Sequence, residues 1–157
     1  MFSIEPTWIS FGGTSALITS MGLILGLDAA ASGRQGIISA LLIIALADNL
    51  SDSLSVQVFM EAERLEHRKA LISTVANFCT RLLVALSFVA LVIMLPRSLM
   101  ALGVGAWGFL LLISMTYWIA RAQGAHIGKE IGKHIIVAVV ALAISRWLGI
   151  WIGATFG

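Results

Sequence analysis

Asp48, Asn49, Ser51, Asp52, Ser53, Ser55 and Gln57 crowd into one otherwise apolar stretch, from about residue 37 to 60. Carboxylates bind cations and carry protons, so their setting decides what they do. This stretch is long enough to cross a bilayer, and an acid at the centre of a membrane helix costs roughly 2.5–3.5 kcal/mol on insertion scales. Two acids one helical turn apart need a reason. The helix period puts Asp48, Asp52 and Ser55 on one face, at i, i+4 and i+7. Lipid offers no hydrogen bonds, so such a stripe faces a partner helix or a wet path. The expectation is that something moves past it.

A basic residue waits at the same level. Counted from Met60, Asp52 and Asp48 lie about 12 and 18 Å into the membrane, and Arg81, counted from Ala70, lies about 16 Å in along the next, antiparallel stretch. Arg81 is expected to form a buried ion pair with one acid, locking two helices together. The other acid is then left as cation ligand or proton carrier. Arg146, in the last apolar stretch, has no partner by this depth reasoning and either snorkels or pairs across a dimer interface. Cys79 is the sole cysteine, which excludes an intrachain disulfide and any metal site built on cysteines.

Two polar links carry further candidate ligands. Glu63 and His67 are four apart, and if the later link is helical, His126, Glu130 and His134 form an i, i+4, i+8 stripe. Carboxylate with imidazole suits iron, manganese or zinc. Met60 beside Glu61 offers a soft ligand at the mouth of a path, although a methionine at a helix end commonly serves packing alone. The same spacings also occur on ordinary solvated helix ends. There is no HExxH, GxSxG or phosphate-cradling glycine loop, so no catalytic arrangement is expected and the chain is not read as an enzyme.

The elements that must hold these residues follow from composition. Of the 157 residues, 59% are hydrophobic and only 11% charged, far below the charge of a soluble domain. The chain is therefore read as an all-α integral membrane protein and a single transmembrane domain, 1–157. Its five spans fall at about 8–27, 37–60, 70–95, 99–119 and 134–152, each near the 20 residues that a 30 Å hydrocarbon core requires. Gly22 and Gly26 make a small-xxx-small pair suited to close helix approach. Pro96 ends the third span. Lys and Arg set the orientation: Arg64, Arg68, Lys69, Arg121, Lys129 and Lys133 occupy the second and fourth links, against Arg34 and Arg97 on the opposite side. That asymmetry places the N-terminus in the cytoplasm. A net charge of +2 with scattered basic residues gives no reason to expect nucleic acid as a partner. The absence of a targeting extension points to a prokaryotic plasma membrane.

Three stretches carry a resemblance. FGGTSALITSMGLILGL (11–27), ALADNLSDSLSVQVFMEAE (45–63) and the segment 120–153 with its closing SRWLGIWIG resemble the vacuolar iron transporter family, in a short form. The likeness spans most of the chain and is most specific in the second stretch. It implies a homodimer that exports ferrous iron or manganese from the cytosol in exchange for protons, along a path between protomers. By position, Asp48 matches the family's acid in the second helix, Glu61 and Glu63 fall near its cytoplasmic glutamates, and Met60 lies where the family uses a methionine. Two departures stand out. The first helix reads Gly12-Gly13-Thr14-Ser15, with Ser15 where the family carries an acid, and only 61–69 remains of the cytoplasmic metal-binding domain. Asp52 is an additional acid that is expected to substitute for the missing one.

The sequence thus leads to a proton-coupled divalent metal transporter. Glu61, Glu63, His67, His126 and Glu130 capture the ion, and Asp48, Asp52 and Ser55 carry it through the bilayer. Two other readings stay open. One is a non-transporting membrane subunit whose polar helix pairs with a partner; the other is a carrier of another small solute with the acids as a proton relay.

Overall fold

A computed structural model describes the backbone of residues 6–62 and 67–157, and the side chains of 12–62, 68 and 70–157. Five helices account for nearly all of it: α1 (Pro6–Ala29), α2 (Arg34–Ala62), α3 (His67–Met94), α4 (Arg97–Ala122) and α5 (Ile127–Phe156). No strand occurs among the described residues. Each helix contains a stretch long and apolar enough to cross a membrane. Large apolar side chains such as Leu46, Leu50, Leu83, Leu102, Ile136 and Trp147 lie exposed around the bundle. A water-facing surface does not carry such a belt, whereas a lipid-facing one requires it.

The helices stop where their residues dictate. At the end of α1, Ala31 takes a left-handed conformation (φ 59°) and Ser32 N donates to Leu27 O at 2.9 Å, which closes the last turn in a Schellman arrangement. An alanine fills this position, and the neighbouring Gly33 does not. Gly124 (φ 64°) does the same after α4, with Ala125 N on Ala120 O at 2.9 Å. Pro96, which cannot continue a helix, separates α3 from α4 and stands at the N-cap of α4.

The fourth link is shorter than the polarity of 121–133 suggested. Helix α5 begins at Ile127, seven residues before the expected start of the span. Neither Gly128 nor Gly132 breaks it, and Lys133 pairs with Glu130 at 2.6 Å across one turn. Polar composition does not end the helix here.

Helix α1 is central and packs against all four others, while α2 touches only α1 and α3. The remaining helices surround α1 in the order α2, α3, α4, α5, with a gap between α5 and α2. Leu17, Met21 and Ile24 of α1 join Phe88 and Val92 of α3 and Val104 and Leu112 of α4 in the core. Gly22 and Gly26 are used inside the chain: α5 lies against them through Ser145 and Gly149, and a Cβ at Gly149 would collide with the Gly26 carbonyl oxygen. Backbone contact this close gains dispersion in a setting where lipid supplies no hydrophobic drive.

Two arginines fasten the end of the bundle where α1 meets α2 and α3 meets α4. Arg34 donates to the terminal carbonyls of α3, Ile93 O at 3.3 Å and Leu95 O at 2.7 Å. A cation there satisfies orphan acceptors and complements the helix dipole. Arg97 reaches Asp28 at 3.3 Å and Ser32 O at 3.2 Å.

Candidate functional site

Asp48 is the middle residue of α2, so its carboxylate sits near the centre of any bilayer the helix spans. Its Oδ2 accepts a hydrogen bond from Arg81 Nη2 at 2.7 Å. Asp52, one turn on, places Oδ2 at 2.6 Å from Arg81 Nη1. That second contact lacks hydrogen-bond alignment, since Nη1 has no bonded acceptor, and it is best described as an ion pair. The expectation that Arg81 would take one acid and leave the other unpaired is therefore corrected. A guanidinium presents two Nη groups in a planar fork, and the 5–6 Å between i and i+4 side chains is a span one fork bridges.

Burial across this triad is lopsided. The Arg81 side chain is 4% exposed, whereas those of Asp48 and Asp52 are 46% and 41% exposed. Arginine is held inside, and the acids look outward from α2 beside exposed Ser51 and Ser55. The Ser55 hydroxyl turns back to Ser51 O at 3.0 Å. The stripe of Asp48, Asp52 and Ser55 is thus a surface feature of the single chain, flanked by Leu46, Leu50 and Leu54.

A polar layer between α2 and α3 supports the arginine. Asn49 Nδ2 donates to Phe78 O at 2.9 Å, and Asn77 Nδ2 to Ser53 Oγ at 3.4 Å. Both asparagines are fully buried, and Ser53 is nearly so. Asn77 has its place because Gly12 of α1 lacks a side chain: a Cβ there would run into Asn77 Oδ1. Sequence reasoning counted Asn49 and Ser53 in the polar stretch but gave neither them nor Asn77 a part in holding Arg81. The available signal was their spacing, since 45, 49, 53 and 60 repeat at helical period and all face inward.

The cation-capture residues are less gathered. Met60 is buried and Glu61 accepts from Gln57 Nε2 at 3.0 Å. Glu63 and the side chain of His67 lie outside the described residues. His126 stands at the N-cap of α5, outside the helix, so the proposed stripe His126–Glu130–His134 is broken at its first member, because the chain turns at 123–126. Glu130 is paired with Lys133, and the His134 ring bonds Glu130 O at 2.9 Å. Among the described residues no three of His, Cys, Asp and Glu come together as a metal-holding group. Cys79 is exposed on α3. Arg146 is exposed on α5 and has no ion-pair partner among the described residues.

A groove of about 630 Å³ follows the gap between α5 and α2, with α1 as its floor. Its wall is mostly apolar, with Thr19, Ser32 and Ser145 as polar points. Compared with protein family models, with characterised proteins and with solved structures, the chain matches none.

Proposed function

We propose that the protein is a homodimeric, proton-coupled carrier that exports a divalent transition metal, iron or manganese, from the cytosol. One observation carries this reading: two carboxylates, each nearly half exposed, at the middle of a membrane-length helix. Lipid cannot solvate them. Pairing the outer faces of α2 from two copies covers their apolar flanks and encloses a polar seam. Asp48, Asp52 and Ser55 line that seam, and the proposal assigns capture of the ion on the cytoplasmic side to Glu61, Glu63, His67, His126 and Glu130. Carboxylates that release protons on binding a metal and regain them on its release produce exchange. The Lys and Arg asymmetry of the links puts the N-terminus in the cytoplasm, and the membrane is taken as a prokaryotic plasma membrane.

A second reading rests on a specific observation of its own. Arg81 contacts both acids, so it neutralises half of their charge without any metal. A non-transporting subunit, whose α2 face docks on a partner helix, needs no more than this.

Proteoliposomes containing the purified protein and an internal pH dye separate the two. Ferrous iron, manganese, cobalt and zinc are supplied to wild type and to Asp48→Asn. The carrier reading expects saturable metal flux with opposing proton movement, abolished in Asp48→Asn while a folded dimer remains. Absence of flux of every metal from folded, dimeric wild type overturns the metal-carrier reading and favours the subunit reading.

A further inference from the structure

Behind the acids, on the side facing α1, lies a small, partly open space of about 10 Å³ whose lining includes Thr19, Ser20, Asp48, Asn49 and Arg81. Three of these bring unused hydrogen-bonding capacity. Arg81 Nε and Asn49 Oδ1 are buried with no partner. Ser20 is 4% exposed, and its hydroxyl forms no hydrogen bond among the described residues. A buried guanidinium N–H and a buried amide oxygen left unpaired in the same wall are costly. The volume is what one water centre occupies, and a water needs two to four polar partners.

We infer that this space holds one ordered water, which accepts from Arg81 Nε–H and donates to Asn49 Oδ1, with Ser20 and Asp48 as its other neighbours. A metal cation is the poorer occupant, because a guanidinium forms part of the wall and the space admits one small neutral molecule. The water completes Arg81. Nη2 is spent on Asp48, Nη1 faces Asp52, and Nε is anchored from behind, so the planar fork is fixed about its own axis.

It also gives Asp48 a second approach. The exposed side of the carboxylate faces the stripe, and its inner side meets the water. Thr19 and Ile44 line both this space and the larger groove, so the two lie side by side. In a carrier, a role for the water in protonating Asp48 rests on the transport reading; occupancy of the site does not.

The test is proton-detected solid-state NMR of the full chain in lipid bilayers with ¹⁵N-labelled arginine. The Arg81 Nε–H signal is identified by its loss in Arg81→Lys. Wild type is expected to show magnetisation transfer from a bound water to that proton. Ala45 of α2 and Ala85 of α3 also line the space; Ala45→Val and Ala85→Val fill it independently, and each is expected to abolish the transfer. No transfer in folded wild type, or transfer that survives both filling substitutions, overturns the assignment. The readout needs no metal, so a protein that transports nothing leaves this test intact.

Discussion

Replacing Arg81 with methionine keeps much of the side chain's volume and removes its charge, which isolates the electrostatic role of the triad. Two contacts are lost, one aligned hydrogen bond to Asp48 and one unaligned ion pair to Asp52. Interhelical hydrogen bonds measured in a membrane protein average about 0.6 kcal/mol and reach about 1.7. Breaking a buried ion pair by removing one partner costs about 3–5 kcal/mol, because the survivor is left uncompensated. The acids here are nearly half exposed, so the lower range applies to them, while two uncompensated carboxylates push the sum upward. Arg81→Met is therefore expected to destabilise the protein by about 2–4 kcal/mol. Asp48→Asn, which keeps an acceptor oxygen but removes the charge that strengthens the aligned bond, should cost about 1–2 kcal/mol, and Asp52→Asn less than about 1. Combining Arg81→Met with Asp48→Asn should cost less than the sum of the two, since one substitution removes the charge the other leaves unpaired. Reversible unfolding in mixed micelles, followed by tryptophan fluorescence, measures all four. Arg81→Met within about 0.5 kcal/mol of wild type, the range of a surface change, refutes the reasoning. So does a larger effect from Asp52→Asn than from Asp48→Asn.

Other expectations follow from the packing. Gly149→Ala drives a methyl group into the Gly26 carbonyl and should separate α1 from α5, costing at least about 2 kcal/mol as overpacking. Gly153→Ala meets its nearest atom, Ala30 Cα, at 3.3 Å and should be far milder; thermal unfolding of the pair ranks them. Arg34→Ala removes the cap on the end of α3 and should cost about 1 kcal/mol, with amide exchange at Leu91–Leu95 rising first. In a Cys79→Ser background, cysteine at Ser51 or Ser55 should cross-link two copies under oxidation if the α2 faces meet, and cysteine at Leu83, exposed on α3, should not.

Helical periodicity and apolar length were enough to read five membrane-length helices from the sequence, because a chain in lipid must satisfy its backbone within each segment. The acids announced themselves for the same reason: Asp48 and Asp52 are expensive where they stand. The partnership of Arg81 with α2 was also legible, since depth along antiparallel spans is arithmetic on a 1.5 Å rise. How many acids it would hold was not. That depends on the reach and planarity of one side chain against the pitch of the neighbouring helix, which only the packed pair of α2 and α3 fixes. Asn49 and Asn77 were invisible as a supporting layer because burial is a property of neighbours, here including Gly12 on a helix distant in sequence. Helix α5 starts before the apolar span because polarity marks a change of composition, while helix formation depends on backbone bonding that continues past it. Tertiary structure alone decided that the two acids stand on the outer surface of α2 and the arginine behind them. The sequence places all three at one depth, but the rotation of α2 about its axis is set by what α1 and α3 bury against it.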